Sequence, residues 1–291
     1  MKVEVDTSLN TVLVDGAQVY PVPAPIPPQP GIPAPGTILT TDLDLTGKTD
    51  WTIQGVTFNG CRLKCGGDSP TSVRGKVINC TFNDSPAQDD NGCCVALSFA
   101  DGVTISYCNF NRSAGGAIGK YGINNITMDH CRFVDCFSVW GFLNGDPDLG
   151  KNIQFTNNYI SGEKYGGLET GGDTQAFTNL LVAGNTFVNL NGLAMIGPIS
   201  IVARPNFGCV IKNNYFERGP NYFNNTPPPY FSQAVEIYGP VEVYGNTIVD
   251  FSSAFGVYGT GANIHDNFVY NTPADTHGST VLHKRPTPPV T

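Results

Sequence analysis

The chain has 291 residues, a net charge of -8 and only 14% charged residues. So acidic and charge-poor a chain is a poor match for a large nucleic-acid surface, and no run of about 18 apolar residues is present to span a membrane as a helix. Its 34 Gly and 22 Pro, with abundant Asn and Thr, suit a turn-rich all-β protein.

Residues 2–6 and 11–15 alternate apolar and polar side chains around Thr7-Ser8-Leu9-Asn10, which predicts a β-hairpin within residues 1–20. Met1-Lys-Val-Glu-Val-Asp has no apolar core of a signal peptide, so synthesis in a reducing cytosol is expected. From Pro21 to Pro35, eight of fifteen residues are Pro and none is charged. An extended, stiff polyproline arm over 21–37 follows, either a spacer or a segment that docks on a partner protein.

A pattern recurs nine times from there to about Asn271. Its clearest copies are Val182-Ala-Gly-Asn185-Thr-Phe187, Ile211-Lys-Asn-Asn214-Tyr-Phe216 and Val243-Tyr-Gly-Asn246-Thr-Ile248. One column of the repeat reads Val56, Cys80, Cys108, Cys131, Asn158, Asn185, Asn214, Asn246, Asn267. The apolar column two residues on reads Phe58, Phe82, Phe110, Phe133, Ile160, Phe187, Phe216, Ile248, Val269. Steps of 21 to 32 residues are the mark of a solenoid. The residue before the first column is Gly, Asn, Asp or His in eight of nine copies, Tyr107 being the exception. These types tolerate a left-handed turn. Inward Asn side chains stacked coil on coil then satisfy buried backbone groups. Three short strands per coil predict a three-sided parallel helix of strands over 38–271, about nine coils. The coil after Asn214 carries an insertion at 221–231, and a Pro-containing tail over 272–291 is expected to leave the rod.

Nine Cys is an odd number, and Cys80, Cys108 and Cys131 share one repeat position where a small buried apolar residue fits. Free buried thiols are expected. Cys61-x-x-x-Cys65 and Cys93-Cys94 lack a second matched pair and His is scarce, so no metal site and no cofactor are expected.

The stacked Asn turn and aromatic column resemble the right-handed parallel β-helix of the pectate-lyase-like superfamily over about residues 38–271. That superfamily includes lyases, glycoside hydrolases, epimerases, phage tailspikes and adhesins, so the resemblance implies fold more than activity. Asn125-Ile-Thr-Met-Asp129-His130 resembles the Asn-Val-Trp-Ile-Asp-His segment of pectate lyases, and Arg204-Pro205-Asn-Phe-Gly208 resembles their Arg/Pro stretch. The family's second Arg and its downstream His are missing here, and no acidic cluster for calcium accompanies Arg204. A calcium-dependent lyase is therefore disfavoured.

Glycoside hydrolysis needs two carboxylates about 5–9 Å apart. Asp146 and Asp173 each lie 15 residues after a repeat position on successive coils, with Glu169 close to the latter. These three are the candidate catalytic residues, weighed against ordinary turn acids in Gly145-Asp-Pro and Gly171-Gly-Asp. Tyr165, Tyr222, Phe223, Tyr230 and Phe231 are candidate platforms for sugar rings, or covers of the core. His130 and His265, without a recognisable Ser or Cys partner, read as structural.

These features point to a structural or receptor-binding virion protein of phage spike or fibre type. The hairpin and Pro-rich arm would join it to other virion proteins, its rod would face host-surface polysaccharide, and a homotrimer is what the resembled proteins imply. The alternative is a polysaccharide depolymerase, hydrolase or lyase.

Overall fold

The computed structural model describes residues 3–6, 11–14, 17–21, 27, 29–66, 73–85, 93–113, 116–119, 122–141, 150–162, 166–169, 177–190, 199–202, 208–219, 233–251, 253–258, 260–272 and 274–278. Three parallel ladders, two of ten strands and one of nine with a short extra strand beside it, wind around one core and make a right-handed parallel β-helix. At about 4.8 Å per strand, the ten-stranded ladders are roughly 45 Å tall. One ladder, here the first sheet, runs from Trp51–Gln54 to Asn263–His265 and precedes the Asn turn in every coil. The second sheet follows that turn and runs from Ile38–Leu39 to Phe268–Tyr270. The third sheet runs from Leu43–Asp44 to Ala274–Gly278.

The repeat columns become physical columns. Phe58, Phe82, Phe110, Phe133, Ile160, Phe187, Phe216, Ile248 and Val269 pair strand to strand in one unbroken register of the second sheet. Phe58, Phe82, Phe110 and Phe133 stack face to face with centroids 4.6–4.9 Å apart, a geometry that adds to simple area burial. All nine turn residues take the left-handed conformation, Tyr107 at φ 55° included. For a Tyr this is uncommon and costs energy; its ring stacks on His130 of the next coil at 5.2 Å.

A second left-handed column was not anticipated from the repeat. Gly60, Asp84, Arg112, Asp135, Gly162, Asn189, Asp250 and Asn271 each lie four residues after the Asn column with positive φ, and all but Asn189, which sits at an irregularity inside Thr186–Leu190, follow the end of a second-sheet strand. Arg112 forks onto Asp84 one coil below at 2.7 and 2.8 Å.

Residues 29–37, the later part of the Pro-rich segment, lie against the N-terminal end of the rod. Gln29 Oε1 accepts from the backbone N–H of Thr52 at 2.7 Å, its amide nitrogen donates to Asp50 O at 3.4 Å, and the N–H of Gly36 donates to Gly55 O at 2.8 Å. Ile32 packs against the core. The first sheet begins one coil later than the other two, and Gln29 supplies to its edge strand the pairing a neighbouring strand would otherwise give. Farther toward the N-terminus, Val3–Asp6 pairs antiparallel with Thr11–Val14, and a third strand, Ala17–Pro21, adds to them.

Candidate functional site on the third sheet

The third sheet differs from the others in how its coils are joined. A two-residue turn links the first and second sheets, whereas the approach to the third sheet varies in length. Its strands pair Lys64 with Ala96, Ala96 with Gly119, Gly141 with Glu169, Glu169 with Ser200, Ser200 with Glu236, Glu236 with Gly256, and Gly256 with His277. Glu169 and Glu236 thus share one register position with a single strand between them, roughly 9.6 Å between backbones.

In the strand Gln233–Tyr238, Val235 and Ile237 belong to the core, and Glu236 alternates with them on the side of the strand where Ala234 is also fully buried. Glu236 itself is only 6% exposed. Acidic side chains are seldom that buried without a compensating setting. Gln233 is 3% exposed and its amide brackets the Tyr258 hydroxyl, donating to it at 2.8 Å and accepting from it at 3.1 Å. Gly256 makes room for this contact, because a Cβ there would collide with Gln233 Oε1. The Tyr258 ring stacks on Tyr238 of the preceding coil, with centroids 4.9 Å apart and planes 20° from parallel. A buried carboxylate, a buried amide and two stacked phenols thus lie along two adjacent strands.

Of the sequence-derived candidates, Glu169 alone is among the described residues. Glu169 holds the register position just given. Asp146, Asp173, Tyr165, Tyr222, Phe223, Tyr230 and Phe231 lie outside the described residues, as do Arg204 and Pro205. Glu236, Gln233, Tyr238 and Tyr258 were missed. The available signal was a Glu inside an otherwise apolar strand, Ala234-Val-Glu-Ile, which marks a position off the core side of a buried strand.

Three other polar clusters are less suited to binding. Asp129 Oδ1 accepts from Thr156 Oγ1 at 2.6 Å and Asn157 Nδ2 at 2.9 Å, while Oδ2 lies 2.6 Å from His130 Nδ1. Burial pushes the Asp129 pKa up, but the bonds from Thr156, His130 and Asn157 outweigh it and hold the group below its ordinary value. This cluster ties two coils together on the convex turn. His265 sits between Asp266 and Glu242 on the same ridge nearer the C-terminal end. A groove of about 440 Å³ near the N-terminal end is lined by Asp50, Thr52, Arg74, Lys76 and Thr104. Its Arg74 is committed to Asp50 through two contacts of 2.6 Å. Among the described residues no group of three His, Cys, Asp or Glu is placed to hold a metal ion, and no helix is long and apolar enough to cross a membrane.

No protein-family model matches the sequence, and no curated protein is significantly similar to it. Solved structures are similar in fold. DFA-IIIase from Arthrobacter chlorophenolicus A6 without its lid is 13% identical with a TM-score of 0.46, over 77% of this chain and 63% of that one. PfbA, a surface adhesin of Streptococcus pneumoniae, is 12% identical with a TM-score of 0.37, over 82% and 80%. The Dettilon tailspike protein is 13% identical with a TM-score of 0.38, over 80% and 60%. The chain therefore spans less than two thirds of the length of the DFA-IIIase and tailspike chains. The shared feature is the right-handed parallel β-helix.

Proposed function

We propose that this chain is a glycan-binding β-helix of phage spike or fibre type, and that its ligand lies along the outer face of the third sheet. One observation carries the reading: Glu236, a carboxylate only 6% exposed, stands in one register column with Glu169. Shielded carboxylates bind sugar hydroxyls through charge-assisted hydrogen bonds, which are stronger away from bulk water. The N-terminal strands and Pro-rich stretch supply the attachment to other virion proteins, and the rod assembles as a homotrimer. The test is an array of capsular and lipopolysaccharide oligosaccharides probed with the purified protein. Binding that weakens in Glu236→Gln at unchanged melting temperature supports the reading; an array that stays blank sinks it. Light scattering of the same preparation measures the trimer.

A second reading, glycosidic hydrolysis, is favoured by the spacing of Glu169 and Glu236. Roughly 9.6 Å between backbones is compatible with the 6.5–9.5 Å between carboxyl groups that leaves room for an attacking water. One carboxyl would protonate the leaving oxygen and the other would take a proton from that water. New reducing ends that vanish in both Glu169→Gln and Glu236→Gln establish it. Cleavage that survives both removes these residues from the chemistry.

A further inference from the structure

We propose that Tyr238 and Tyr258 form a rigid stacking subsite beside Glu236, and that the sugar it takes is a neutral hexopyranose rather than a uronate or sulfated unit. The proposal rests on the reading of the third sheet as the glycan face. Tyr258 is 47% exposed, yet two contacts hold it: the stacked Tyr238 ring and the Gln233 amide on its hydroxyl, for which Gly256 leaves room. An exposed aromatic held this firmly loses little conformational entropy when a ligand covers it. Its face suits the C–H face of a pyranose. Tyr238 stands two residues beyond Glu236 on one strand, roughly 6.6 Å along it. The register column offers Glu169 and Glu236 and, past Lys64, no Lys or Arg. With the chain at -8, an anionic sugar meets like charge at close range, which is costly where water is excluded.

The experiment uses the full chain on an array holding neutral, uronate-bearing and sulfated bacterial oligosaccharides, followed by calorimetric titration of the strongest neutral binder. Tyr258→Ala is expected to weaken that binding about ten-fold, and Tyr258→Phe, which keeps the ring, by no more than about two-fold. Gly256→Ala, which displaces the Gln233 amide without touching the ring, is expected to fall between them. Circular dichroism confirms that each variant is folded. If Tyr258→Ala binds like wild type while Glu236→Gln does not, the platform is wrong and the glycan face stands. Binding confined to uronate or sulfated sugars overturns the charge argument. No binding by wild type overturns the subsite and the glycan face together.

Discussion

The backbone N–H of Cys131 donates to Oδ1 of Asn158 at 2.8 Å. This bond is the junction between two ways of building one turn. Below it, the N–H of Cys80 reaches only the thiol of Cys108, at 3.4 Å. Above it, Asn158, Asn185, Asn214, Asn246 and Asn267 form a continuous ladder. Each Oδ1 accepts the N–H of the coil before at 2.8–3.0 Å, and each amide nitrogen from Asn158 to Asn246 reaches the next Oδ1 at 2.9–3.0 Å. The early turns are sulfur-lined and weakly bonded, the later ones amide-lined and fully bonded.

Asn214→Ala should therefore cost more than Cys108→Ala. Asn214 accepts from the N–H and the side-chain amide of Asn185 and donates to Val182 O and Asn246 Oδ1, all at 2.9–3.0 Å, while 2% exposed. Its loss strands several buried polar groups, roughly 3 kcal/mol. Cys108→Ala removes one sulfur from a packed column, about 1 kcal/mol. Urea unfolding of both variants measures the difference, and equal midpoints would refute the two-part turn.

Gly75 faces Trp51 across the first sheet, and a Cβ on Gly75 would run into the Cζ2 edge of the indole. Gly75→Ala is expected to destabilise the rod by about 2 kcal/mol through overpacking. In a Trp51→Leu background the same substitution should cost much less, since the obstacle is gone. A double-mutant cycle reads the coupling; additivity would place the strain elsewhere.

All nine cysteines are buried and none is in a disulfide. Burial is the first cause pushing the Cys65 and Cys94 thiols far above their ordinary pKa, with neighbouring thiols next. Thiols in this state are poor nucleophiles. Ellman's reagent should find none reactive in the folded protein at pH 8 and nine after guanidinium denaturation. A thiol that reacts at once would show that the core opens.

His265 has its pKa raised above 6.5, first by the hydrogen bond to Asp266 and then by Glu242. A group raised on folding contributes stability that is complete below its unfolded pKa and lost as pH rises through the folded one. Stability should thus decline slightly between about pH 6 and 8, by little, because Glu242 and Asp266 are 47% and 65% exposed and solvent screens the pair. A proton NMR titration of His265 should show the raised value, and Asp266→Asn should bring it back toward 6.5.

Most of the fold was legible in the sequence because the turn between the first and second sheets has constant length. Each of the nine turn residues immediately precedes its column residue, and the apolar column always follows two later. The left-handed turn demanded Gly, Asn, Asp or a tolerated exception, and the inward position beyond it demanded Phe, Ile or Val. Those two steric requirements wrote the β-helix into the chain. The third sheet obeyed no such count. Glu169 stands 11 residues after Asn158, and Glu236 stands 22 after Asn214, yet strand pairing puts them in one column. Connections of unequal length absorb insertions at little energetic cost, so a residue count from the Asn column does not give the register of the third sheet. The sequence by itself determined the rod and its core. Only the hydrogen-bonded register of the folded sheet decided which carboxylates and which tyrosines share a face.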